Sequence, residues 1–110
     1  MPVIKIFASD ALLRPDPLAQ EHLASAITGA CTDILRAALA QIQVMLIPVQ
    51  AVLRGEKIYI EVNFRDTGFR SPEVVDAFMN RLESDVVGCY ATLPRIRCFA
   101  ENSAALFARN

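Results

Sequence analysis

The chain repeats its own plan. Ile4, Ile6, Asp10, Leu13 and Arg14 recur 56 positions later as Ile60, Val62, Asp66, Phe69 and Arg70. Each copy runs from an alternating apolar strand through an aspartate to an apolar residue just before an arginine. Each then opens a helix with a capping residue and proline, Asp16-Pro17 and Ser71-Pro72. Val3 to Ala8 places Ile4, Ile6 and Ala8 on one face, the period of a half-buried strand. Leu23, Ile27, Ala30 and Ile34, widened by Ala26 and Leu35, recur at helical spacing. They predict a helix running to about Leu39, with Gly29 inside it. Gln41 to Ile47 reads as a largely buried strand, which Pro48 ends or bulges because proline cannot donate to a ladder.

The second copy follows the turn Arg54-Gly55-Glu56. Lys57 to Phe64 is a strand with Ile58, Ile60, Val62 and Phe64 on one face. Val75, Phe78, Met79, Leu82 and Val86 mark a helix ending near Thr92, and Arg95 to Ala100 is a fourth strand after Pro94. Ala104-Ala105-Leu106-Phe107 is an apolar tail without a clear period. Two β-α-β units of this kind predict an α/β fold, one sheet with two helices on one face. The length of 110 residues fits one domain, with repeats at about 1–50 and 57–104.

Hydrophobic residues make up 54% of the chain, a slight surplus that points to a subunit interface as well as a core. That share excludes intrinsic disorder. A formal net charge of −1 opposes nucleic-acid binding, which needs a basic excess. Cys31, Cys89 and Cys98 form no CxxC pair and are odd in number, so reduced thiols are expected rather than disulfides or a metal site. Lys5 and Asp10 interrupt the start of the chain, which therefore lacks the pattern of a signal peptide. The longest charge-free stretch, Ala37 to Leu53, contains three glutamines and Pro48 and is too polar to span a membrane. The expectation is a cytoplasmic protein with no membrane or nucleic-acid partner.

Standard catalytic equipment is scarce. His22 is the sole histidine, set on the first helix without a nucleophile placed to work with it. The four glycines are too scattered for a phosphate loop, and neither a metal nor a cofactor is indicated. Pro2 is the unusual group. Removal of Met1 turns its nitrogen from an amide into a secondary amine, and α-amino groups titrate near neutrality. Apolar surroundings or a neighbouring arginine lower such a pKa further, giving a general base without histidine. Phe99 and Phe107 are read first as core aromatics and second as pocket walls.

Met1-Pro2 before a short apolar strand, Ser9-Asp10-Ala11-Leu12, Gly68-Phe69-Arg70-Ser71 before the second helix, and Asn102-Ser103-Ala104-Ala105-Leu106-Phe107 at the end stand in a telling order. Together they resemble the tautomerase superfamily, most closely the 5-carboxymethyl-2-hydroxymuconate isomerases, with a macrophage migration inhibitory factor-like fold. The resemblance implies a homotrimer around a barrel-like arrangement of sheets, with an active site at each subunit boundary and a role in aromatic catabolism. It implies Pro2 as the catalytic base, shuttling a proton between carbons of a small unsaturated keto or hydroxy acid. Arg70 then binds the substrate carboxylate, and Arg65 is a second candidate, since guanidinium groups grip carboxylates bidentately. The isomerases carry Arg-x-Arg where this chain has Gln41-Ile42-Gln43. These glutamines can hydrogen-bond substrate but carry no charge, which disfavours a dicarboxylate.

Two other functions fit the same sequence: a catalytically silent trimer of this fold, and a ferredoxin-like ligand-binding module sharing the β-α-β-β-α-β order. Strand order separates them. The tautomerase arrangement pairs the strands of each unit in parallel and side by side, whereas the ferredoxin arrangement interleaves the units.

Overall fold

The strands of each β-α-β unit lie next to one another in this computed structural model, which describes residues 2–51, 53–105 and 107–109. Met1 and Leu106 of the sequence reading lie outside the described residues. Strand β1 (Val3–Ser9) runs parallel to β2 (Gln43–Val49), with Ile4 opposite Val44 and Ile6 opposite Leu46. Strand β3 (Ile58–Arg65) runs parallel to β4 (Arg95–Glu101), with Ile60 opposite Ile96. The units join antiparallel through β1 and β3, where Ile6 faces Ile60, giving the order β2-β1-β3-β4. This order removes the ferredoxin-like alternative, because the units are not interleaved.

A single helical turn that the sequence pattern did not signal, α1 (Asp10–Leu13), follows β1. Helix α2 (Pro17–Asp33) begins at Asp16, whose Oδ1 accepts the Ala19 N–H at 3.0 Å. Helix α3 (Pro72–Tyr90) begins at Ser71, whose Oγ accepts the Val74 N–H at 3.3 Å. Each cap satisfies a donor that the helix leaves unpaired, and proline follows where no donor is missed.

The helix expected to run to about Leu39 stops at Asp33. Arg36 turns left-handed at φ 55°, and the Ala37 N–H reaches back six residues to the Cys31 oxygen at 3.1 Å. That bond spans one residue more than the long bond of a Schellman ending, and the left-handed residue is arginine where glycine is usual. A 3₁₀ turn, Leu39–Gln41, then carries the chain into β2, so Gln41 precedes the strand rather than opening it. Helix α3 ends at Tyr90, with Ala91 at φ 53°.

Both helices cover one face of the sheet. Leu23 and Ile27 from α2, and Phe78, Leu82 and Val86 from α3, join Ile4, Ile6, Ile58, Ile60 and Val62 in one core with none of these side chains exposed. Burial of each contributes roughly 1.5–3 kcal/mol. Strand β2, expected to be largely buried, is half-buried because it lies at the sheet edge. The edge also admits Pro48 within the strand, opposite Ala8, without loss of an interior ladder bond.

Among the described residues, neither long helix lies on the other face. Phe7 and Tyr59 stack across β1 and β3 with centroids 5.9 Å apart, beside a Lys5–Glu61 ion pair at 3.8 Å. Val3, Met45 and Ile47 on this face remain partly exposed.

Candidate functional site

One end of the sheet gathers residues far apart in sequence. Parallel pairing puts the starts of β1 and β2 together, and antiparallel pairing brings the end of β3 beside them. Val3 is thus opposite both Gln43 and Asn63. Pro2 precedes β1 and is fully buried, continuing the inward series of Ile4, Ile6 and Ala8. Its carbonyl oxygen accepts the Gln43 N–H at 3.1 Å, extending the ladder and fixing the proline at the strand head.

Arg70 stands at this end on the turn between β3 and α3, held by its own N–H to the Thr67 oxygen at 3.0 Å. Its Nε donates to the Leu35 oxygen and its Nη1 to the Arg65 oxygen, each at 3.2 Å. Two of the five guanidinium N–H donors are thereby used, leaving three for another acceptor. The Arg70 Cζ lies 5.8 Å from the centroid of Phe64, a cation–π distance. Close by, the Arg36 guanidinium covers the Phe69 ring at 4.0 Å. Arginine side chains thus border an apolar region at the same strand ends as Pro2.

The other expected site residues are near in strand position but differ in side. Arg65 is exposed and alternates with buried Phe64, so it belongs to the helix-free face. Gln43, in register with Val3, also lies on that face and is exposed. Gln41 is exposed on its 3₁₀ turn. His22 is exposed on α2.

Phe99 and Phe107, read first as core aromatics, are 47% and 96% exposed. Phe99 alternates with Cys98 on β4 and falls on the helix-free face, so its apolar character did not indicate the helix-covered core. Cys31 and Cys98 are free thiols, and burial pushes both up to about 11, with Arg70 partly opposing the shift at Cys31. Among the described residues no group of His, Cys, Asp and Glu is arranged to hold a metal ion. Nor is any described helix long and apolar enough to cross a membrane.

Sequence reasoning missed a second concentration of chemistry at the opposite end of the sheet. A cavity of about 420 Å³ is lined by Arg54, Glu56, Tyr59, Arg95 and Arg97, with Leu53 and Gly55. The available signal was the spacing of Arg95 and Arg97, which puts both on one face of a strand.

No family model matches the chain, and no curated protein matches its sequence. Solved structures do match. A fused 4-OT wild-type symmetric trimer aligns with TM-score 0.75 at 17% identity, over 98% of this chain and 92% of its own. Pt0534 inactivated by 2-oxo-3-pentynoate aligns with TM-score 0.79 at 18% identity, over 94% and 89%. A macrophage migration inhibitory factor-like protein from Entamoeba histolytica aligns with TM-score 0.73 at 7% identity, over 98% and 95%.

The chain has the tautomerase fold.

The tautomerase fold puts the head of its first strand at the centre of the sheet, between β2 and β3. A residue at that position is shielded by neighbours on both sides. Pro2 therefore reaches full burial.

Proposed function

We propose that this protein is a tautomerase of small unsaturated keto or hydroxy acids, with the ring nitrogen of Pro2 as general base once Met1 is removed. The observation that carries the reading is the full burial of Pro2 at the head of β1, in a tautomerase fold, at the sheet end where Arg70 stands. An amine in an apolar setting resists protonation, and a nearby guanidinium adds to the penalty, so the nitrogen is a free base at neutral pH. It takes a proton from one carbon or from the enol oxygen and returns it at the other carbon, with no redox change. The three unused donors of Arg70 hold the substrate carboxylate and fix the reacting carbons against the proline. Arg65, Gln41 and Gln43 serve as secondary contacts to substrate oxygens. Gln41 and Gln43 are neutral, so the preferred substrate is a monocarboxylate. The finer likeness to 5-carboxymethyl-2-hydroxymuconate isomerases belongs to this proposal, as does a place in aromatic catabolism.

The functional form in this reading is a homotrimer in the cytoplasm. Its support is the helix-free sheet face, where Val3, Phe7, Met45 and Ile47 need cover from other copies. The fused 4-OT neighbour is itself described as a symmetric trimer.

The test is ketonisation of phenylenolpyruvate by protein whose intact mass shows loss of Met1. Pro2→Ala is expected to lower the rate about 10²–10⁴-fold while the circular dichroism spectrum stays unchanged. Equal rates for the variant and the parent would remove Pro2 as the base. No activity in a folded, Met1-free parent would favour the catalytically silent trimer, the reading to which the neutral Gln41 and Gln43 point.

A further inference from the structure

Leu35 and Arg36 follow each other just beyond the end of α2, and Phe69 and Arg70 follow each other on the turn before α3. The two pairs hold one another crosswise. The Leu35 oxygen accepts the Arg70 Nε–H at 3.2 Å, and the Arg36 guanidinium covers the Phe69 ring at 4.0 Å. We propose that Arg36 is a positioning residue for Arg70, clamping the turn at Phe69 so that the Arg70 guanidinium meets a carboxylate in one fixed orientation. The proposal rests on the reading of Arg70 as the carboxylate holder, and it places Arg36 behind Arg70 rather than on the ligand.

The backbone of Arg36 supports it first. Its φ of 55° is one that glycine adopts freely and a side chain does not. Strain of this kind persists where the surrounding structure holds it for a purpose. Here it sets an acceptor. The Leu35 carbonyl and the Arg36 N–H share one planar peptide group, so the φ of Arg36 fixes the angle between that carbonyl and the Arg36 side chain. Leu35 lies past Asp33, the last residue of α2, and among the described residues no backbone N–H reaches its oxygen. That oxygen is left for Arg70.

The side chain of Arg36 supports it second. Residues 65–69 are exposed, so core packing does not order the turn. The Arg70 N–H bonds to the Thr67 oxygen at 3.0 Å and the Ser71 N–H to the Phe69 oxygen at 2.9 Å. These local bonds shape the turn without tying Phe69 to another element. The stack on Arg36 supplies that tie, one residue before Arg70. Among the described residues Arg36 forms no ion pair, so its guanidinium is not drawn elsewhere. An arginine whose base is already fixed loses less freedom on binding, and such prior ordering raises affinity.

The experiment titrates the full chain with trans-cinnamate, a flat carboxylate without an enolisable centre, by isothermal calorimetry, so it does not require Pro2 to act as a base. Arg36→Gly keeps the left-handed turn and removes the guanidinium, and Phe69→Leu removes the ring. Each is expected to weaken cinnamate binding about fivefold, the effect of losing one cation–π contact, and the double variant no more than either alone. Arg36→Lys, which keeps a cation over the ring, should stay within about twofold of the parent. Arg36→Gly added to Arg70→Ala should cause no further loss. Both Arg36 and Phe69 are exposed, so their variants are expected to fold. Unchanged affinity in Arg36→Gly and Phe69→Leu, with binding lost in Arg70→Ala, would overturn the positioning and leave Arg70 as the carboxylate holder. A loss from Arg36→Gly that persists in Arg70→Ala would make Arg36 a direct ligand contact and overturn it also. Unchanged affinity in Arg70→Ala, or a parent that binds no cinnamate, would remove the reading of Arg70 and the positioning with it.

Discussion

The Nε of Arg70 donates to the carbonyl oxygen of Leu35 at 3.2 Å, joining the turn before α3 to the end of α2 across 35 residues of sequence. A second bond from Nη1 satisfies the Arg65 oxygen at the end of β3. The same side chain therefore braces three segments and keeps free donors for a ligand. Arg70→Ala is expected to lower stability by about 1–2 kcal/mol, since a charged donor is withdrawn from two carbonyls, one of them partly exposed to water. Urea unfolding at constant m-value reads this loss. The variant should also raise KM for carboxylate substrates more than for neutral ones. An unchanged KM for both would leave Arg70 a purely structural brace.

Arg36 supplies a second expectation. It sits at φ 55°, where a side chain costs about 1–2 kcal/mol relative to glycine, and its guanidinium covers Phe69 at 4.0 Å. Arg36→Gly relieves the backbone but loses that contact and loosens the unfolded chain, so the net change should fall within about 1 kcal/mol. Arg36→Val keeps the strain, adds β-branching and loses the contact, and should destabilise by more than the glycine variant does. The difference between their denaturation midpoints is the measurement. A valine variant as stable as the glycine one would contradict the left-handed turn.

The thiols set an alkaline limit. Burial pushes Cys31 and Cys98 from 9.0 up to about 11. Between those values the unfolded chain has lost these protons while the folded chain keeps them. Unfolding therefore releases protons, and stability falls as pH rises through that window. Below about pH 9 these two groups should contribute no pH dependence, and above about pH 11 their effect should level off. At pH 8, iodoacetamide should modify Cys31 and Cys98 far more slowly in native protein than in urea, read residue by residue by peptide mass spectrometry. Equal rates in the two conditions would refute the burial.

The fold was legible because its signals are local and repeated. Ile4-x-Ile6 and Ile58-x-Ile60-x-Val62 announce strands, and Asp16-Pro17 and Ser71-Pro72 announce helix starts, with both caps found bonded as expected. Helix ends were less legible. The break after Asp33 depends on Arg36 adopting a conformation that the sequence normally marks with glycine. Gln41 reads as strand for the same reason, since a helix continued to Leu39 leaves no room for the 3₁₀ turn.

The candidate site was legible only in part. Pro2 and Arg70 stand out as residue types at particular places in the chain, but that both belong to the same strand ends follows from pairing register. The cavity of Arg54, Tyr59, Arg95 and Arg97 went unread because its members come from a loop and two strands up to 43 positions apart.

The sequence by itself determined where β1, β3, β4 and the two long helices begin and which faces of β1, β3 and those helices are apolar, because alternation and capping act over a few residues. Tertiary structure alone decided the order β2-β1-β3-β4, and with it which polar groups share an end of the sheet. Strand pairing is made by backbone hydrogen bonds that any side chain permits, so neighbours are chosen by the packing of the whole chain.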